Sequence, residues 1–148
     1  MTNATAVSFG FPETLVAETS SWLVLVRPKQ PTFGALVLIC KEQADAFSGL
    51  SAAAFADLGV AVGAVETLLR KILGYEKINY LMLMMVDPDV HLHVIPRYAA
   101  ARRFGGQEFA DAGWPGPPQL DAAVSPDAAA TEALLATLRE AWLRHASS

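Results

Sequence analysis

The sequence predicts an α+β fold, on three observations. Strand-like runs cluster at residues 22–40 and again at 76–97; a long amphipathic pattern from Ser51 to Gly74 separates them; a second helical pattern closes the chain. Strands and helices therefore come in runs, not in regular β-α alternation, which favours an antiparallel sheet, here of about five strands, packed with one long helix and a C-terminal helix. With 148 residues, one domain over 1–148 is the natural reading, and residues 1–10 read as a flexible lead.

Leu15 to Glu18 suggests a short first strand. Trp22-Leu-Val-Leu-Val-Arg27 is rich in β-formers and stops at Pro28; Pro28 to Gly34 reads as a turn, and Ala35-Leu-Val-Leu-Ile-Cys40 as the returning strand. Ser51 is a suitable N-cap for the long helix. Phe55, Leu58, Val62, Val65, Leu69 and Ile72 recur at steps of three and four, Asp57, Glu66 and Arg70 mark the wet side, and Gly74 fits the stop. Residues 76–86 are strand-like, with Met82, Met84 and Met85 expected as core fillers, and lead through Asp87-Pro88 to an antiparallel neighbour. Residues 102–124, rich in glycine, proline and alanine, read as an extended loop or arm. Ser125-Pro126 then starts a helix over 125–146, with Leu134, Leu135, Leu138, Trp142 and Leu143 as its apolar stripe.

Composition excludes several classes. Hydrophobic residues make up 53% and charged residues 18%, a surplus of apolar side chains that a subunit interface would absorb. A net charge of −4 without a basic run argues against a nucleic-acid partner. No uncharged apolar stretch approaches the roughly 20 residues of a membrane span. A lone Cys40 permits no intrachain disulfide, and no secretory signal is read at the start, so the expected setting is cytoplasmic.

Two of the three histidines sit in Asp89-Val-His-Leu-His-Val-Ile-Pro-Arg97. The alternation places His91 and His93 on one face of a strand, about 6.6 Å apart at a rise near 3.3 Å per residue. A neutral imidazole attacks phosphorus well, provided that it has an accessible nitrogen, a partner that fixes its tautomer, and donors for the phosphoryl oxygens. Asn79 offers an amide on the neighbouring strand, and Arg97, Arg102 and Arg103 offer cationic donors.

The segment from Asn79 to Arg97, NYLMLMMVDPDVHLHVIPR, resembles the histidine triad (HIT) family, whose signature is His-φ-His-φ-His-φ-φ with φ apolar. The order of hairpin, long helix, two strands and variable tail is also similar. The nearest likeness is to the diadenosine tetraphosphate hydrolase-like branch, with Trp114 to Pro117 matching its Trp-Pro-x-Pro element. The resemblance implies a homodimer with the sheet joined across subunits, one nucleotide site per subunit, and transfer or hydrolysis at an α-phosphorus without cofactor or metal. It makes His91 the nucleophile, His93 a phosphate contact, Asp89 the catalytic residue at the first triad position, and Asn79 a substrate contact, with Arg97 beside it. This chain departs from the pattern in three places: Asp89 replaces the first histidine, Met84-Met85 replaces a glycine–asparagine pair, and Val86 carries no hydroxyl. A carboxylate at position 89 would favour the protonated form of His91 and repel phosphate.

Three functions follow as expectations: a nucleotidyl hydrolase or transferase, a nucleotide-binding protein without turnover, and a metal-dependent hydrolase ligated by Asp89, His91 and His93. The third is disfavoured, because residues 89 and 93 would stand about 13 Å apart along an extended strand.

Overall fold

The computed structural model describes residues 3–147. Seven strands, β1 (Leu15–Glu18), β2 (Trp22–Val26), β3 (Leu36–Cys40), β4 (Lys77–Leu81), β5 (His91–Arg97), β6 (Arg102–Phe104) and β7 (Gln107–Phe109), accompany three helices, α1 (Ala4–Ser8), α2 (Ala52–Leu73) and α3 (Ala128–Ala146). The first five strands form one antiparallel sheet in the order β1-β2-β3-β5-β4, as the α+β reading requires.

Register decides which face each residue serves. Val24 pairs with Leu38, Leu36 with Val94, and Val94 with Tyr80; these residues face α2 and α3 in the main core. The alternate row, Leu25–Val37–His93–Leu81, points to the opposite face, as does Leu23–Ile39–His91. Pro96 lies in β5 two residues past Val94, the last residue there paired with β3 (opposite Leu36), so its missing N–H interrupts no ladder bond to β3. The turn between β2 and β3 is organised by Gln30, 1% exposed. Its amide donates to the Arg27 and Ala35 carbonyls and its oxygen accepts from the Gly34 and Ala35 N–H groups.

Helix α2 starts and stops where the sequence indicates. Ser51 caps it by accepting from the Ala54 N–H, and Gly74 ends it with φ 59°. Its buried face is rotated from the expected stripe: Ala54, Ala61, Ala64, Val65, Leu68, Leu69 and Leu73 are buried, while Phe55 is exposed and packs on Phe47. The small alanine side chains let the helix approach the sheet closely. Its length and composition alone would suit a membrane span, but here seven of its residues pack inward. The polar side is partly bound: Asp57 accepts from Thr19 Oγ1 and Ser21 N, and Glu66 accepts from Tyr80 Oη.

Four expectations are corrected. Residues 1–10 are not a loose lead over their described part: Asn3 caps α1, and Thr5 and Ala6 are buried (positions 1 and 2 lie outside the described residues). The strand expected over 76–86 ends at Leu81; the chain turns through Met84 at φ 52°, leaving Met85 exposed instead of filling the core. The arm at 102–124 contains the β6–β7 hairpin, closed by Gly105 and Gly106, both at positive φ, with Phe104 and Phe109 packed on Phe33. Helix α3 begins at Ala128, not at Ser125, because the Asp127 carboxylate takes the Ala130 N–H; Leu143 faces solvent.

Gly34 and Gly74 separate two costs. Both carry positive φ, but a Cβ at Gly34 would fall 2.3 Å from Leu73 Cδ1, whereas Gly74 has open space. Gly74→Ala should cost about 1–2 kcal/mol from backbone strain, and Gly34→Ala a further 1–3 kcal/mol or so from overpacking. Urea unfolding of both variants measures the difference; equal midpoints would contradict the packing assigned to Leu73.

Candidate active site

β5 is an interior strand, held by β3 on one side and β4 on the other, so its side chains stand at fixed intervals. The alternation brings His91 and His93 onto the sheet face away from α2 and α3, with ring centroids 5.3 Å apart. His91 Nδ1 lies 2.7 Å from the Asp89 carbonyl oxygen. A carbonyl only accepts, so Nδ1 carries a proton, and in the neutral imidazole the lone pair lies on Nε2. That is the tautomer a nucleophile needs.

The rings do not stand open, contrary to what an accessible nitrogen requires. His91 is 3% and His93 6% exposed. Phe9 covers both, its centroid 5.9 Å from His91 and 5.7 Å from His93. The segment carrying Phe9 is tied to the histidine loop: Thr5 N donates to Asp89 Oδ2, Asp89 N to Thr5 Oγ1, and Ser8 Oγ to Asp87 Oδ1. A hollow of about 400 Å³ lined by Gln43, Ala44, Asp45, Pro88 and Asp89 opens next to the loop, and neither imidazole is in its wall.

The other expected site residues are placed differently. The Asp89 carboxylate binds Thr5 in place of orienting an imidazole; the main chain of Asp89 does the orienting. Arg97 shares the histidine face but is buried and its donors are taken. Nε and Nη2 bind the two oxygens of Asp111, Nη1 binds Asn79 Oδ1, and Nη2 also reaches the Gly116 carbonyl. Arg97 and Asn79 thus fasten the 111–116 loop to the sheet in place of lining an open rim. Trp114, half-buried, sits in that loop. Arg102 stacks on Tyr98, whose side chain belongs to the helix-side core, and Arg103 bonds Gly106 O, so neither joins the histidines. Among the described residues, no group of three or more His, Cys, Asp or Glu is placed to hold a metal ion.

One residue was overlooked. Arg27 follows β2 on the histidine face, two residues beyond Leu25, and its guanidinium acts on His93. Burial, then Arg27, then His91 disfavour the His93 imidazolium, pushing its pKa from 6.5 down to about 4 against the opposing pull of Asp87. The signal in the sequence was a lone cation at the end of an apolar strand, easily read as a turn residue.

No family profile matches the chain, and no curated protein is a significant match. Solved structures match its fold. A histidine triad protein from Bradyrhizobium japonicum aligns at 22% identity with TM-score 0.67, over 85% of this chain and 87% of that one. A histidine triad protein from Sinorhizobium meliloti aligns at 19% and 0.72, over 95% of both. A hypothetical histidine triad nucleotide-binding protein from Sulfolobus tokodaii aligns at 15% and 0.69, over 97% and 93%. The fold is the one these histidine triad proteins share.

The depressed His93 pKa has a stability consequence. The folded value lies below the unfolded one, so between the two the unfolded chain binds the extra proton. The stabilisation is full above about pH 6.5 and is lost as pH falls towards 4. The loss expected from this group is about 2–3 kcal/mol. Urea midpoints at pH 7.5 and 4.5 for the parent and His93→Gln measure it; an equal pH dependence in the two proteins would contradict a buried neutral His93.

Proposed function

We propose that the protein binds a nucleotide and transfers or hydrolyses it at the α-phosphorus through a nucleotidyl-His91 intermediate. The observation that carries this reading is the His91 tautomer. With Nδ1–H held by the Asp89 carbonyl, the Nε2 lone pair attacks phosphorus, a P–N bond forms, and the bond from phosphorus to the leaving group breaks. Water then cleaves the P–N bond and returns the neutral imidazole. Dinucleoside polyphosphates and nucleoside phosphoramidates carry a suitable phosphorus. Support comes from the shared fold and from the nucleotide-binding name of the Sulfolobus tokodaii structure.

Turnover requires the roof to move. Phe9 covers both rings, so a ligand must favour a state in which residues 3–11 swing away and the Thr5–Asp89 bonds part. This gives Asp89 a latch role at the first triad position, where a carboxylate would otherwise oppose phosphate. The same closure favours a second reading, nucleotide binding without turnover.

We also infer a homodimer. β4 is a sheet edge with an unpaired side, and the loop after it exposes Leu83, Met85 and Val86, the last at 90%. A second copy adding to this edge would cover both features.

Diadenosine tetraphosphate and adenosine phosphoramidate hydrolysis by the parent, His91→Ala and Phe9→Ala tests the chemistry. His91→Ala should lose roughly a thousandfold or more, and Phe9→Ala should turn over faster or bind more rapidly than the parent. Equal rates for His91→Ala and the parent would refute the assigned nucleophile, and binding without hydrolysis by all three would leave the second reading. Sedimentation equilibrium tests the assembly: the parent should be dimeric and the Met85→Glu/Val86→Glu variant monomeric. A monomeric parent would overturn it.

A further inference from the structure

Four rows of side chains cross the histidine face, and the row beyond Leu25–Val37–His93 begins with Arg27. Its backbone extends the β2–β3 ladder, with Arg27 N donating to the Ala35 carbonyl at 3.0 Å. Ala35, fully buried, has only a methyl group to set between Arg27 and β5. Gln30 holds the Arg27 carbonyl, and Arg27 Nη1 donates to the Lys29 carbonyl. The side chain is thus fixed at one end of the face that carries the imidazoles.

Among the described residues, two buried polar atoms on this face have no hydrogen-bond partner: Arg27 Nε and His93 Nδ1. Buried polar groups are nearly always paired, so each calls for an explanation. They share one. Both are nitrogens able to donate, they lie in adjacent rows, and the charged forms of their side chains repel each other. An anion beside them would accept from both and remove the repulsion. The nucleotide reading already brings such anions to this face: His91 engages the α-phosphorus, which leaves the rest of a phosphate chain to be neutralised. A guanidinium suits that role, since it stays charged and offers charge-assisted hydrogen bonds.

We propose that Arg27, together with the Nδ1 edge of His93, forms the anion-binding end of the site and selects ligands that carry a polyphosphate chain. The proposal deepens the nucleotide reading and rests on it for the identity of the ligand. It is a binding assignment and involves no bond-breaking step.

Calorimetric titration of the full chain with adenosine, its mono-, di- and triphosphates, and inorganic tripolyphosphate tests it, for the parent, Arg27→Gln and Arg27→Lys. The parent should bind more tightly with each added phosphate, and Arg27→Gln should lose roughly tenfold for the triphosphate while changing little for the monophosphate. Arg27→Lys should recover part of the loss. Without ligand, the His93 proton titration should rise in Arg27→Gln, a shift that also reports a folded variant. Arg27→Gln binding the triphosphate as the parent does would overturn the assignment and leave the nucleotide reading standing. Arg27-dependent binding of tripolyphosphate with no binding of any adenosine compound would keep the anion site and overturn the nucleotide reading. Binding of nothing would overturn both, and an unmoved His93 titration would remove the adjacency on which the site depends.

Discussion

Two imidazoles kept dry on an interior strand set the terms for everything around them. A histidine removed from water must be neutral or be matched by a charge. His91 Nδ1 donates to a main-chain carbonyl; His93 is disfavoured as a cation by burial and by Arg27. β3 and β4 fix the strand from both sides, and α1 with Phe9 supplies the cover. The fold thus has two unequal faces. One is a closed apolar core between the sheet and two helices, and the other sets the two imidazoles among apolar side chains under a short segment held by hydrogen bonds to two aspartates.

That asymmetry bears on dynamics. The main core draws its stability from β2, β3, β5, α2 and α3, and none of its buried residues lies in α1. Residues 3–11 add a small apolar cluster of their own, with Ala6, Phe9 and Phe11 against Leu23, Leu25, Val37 and Ile39. Opening this segment would leave the contacts of the main core intact.

Much of the framework was legible in the sequence, because it follows from periodicity and terminators acting locally. The Trp22–Cys40 hairpin, the Ser51 cap, the Gly74 stop and the shared face of His91 and His93 all stand where the pattern places them. What escaped depends on partners distant in the chain. Asn3 to Ser8 looks like a loose end until Asp87 and Asp89 are brought to it, more than 75 residues away. Arg97 offers the same guanidinium to a ligand or to a buried carboxylate, and only the 111–116 loop decides for Asp111. The apolar period of α2 is visible in the sequence, but its buried face turns towards alanines, since close packing, not hydrophobicity alone, chooses which side meets a sheet. The Arg102–Phe109 hairpin was hidden by its glycine-rich surroundings, although its Gly105-Gly106 pair is a known hairpin turn type.

Entry of a phosphorylated ligand at the imidazole face beneath Phe9 is the step on which the proposed function depends. Nitrogen-15 spectra of the histidine side chains, recorded while adenosine monophosphate is added, test it most directly. Saturable shifts at His91 and His93 are expected, accompanied by loss of the ring-current effect of Phe9, with little change at His145. Shifts confined to His145, or none at the paired rings at saturating nucleotide, would contradict it.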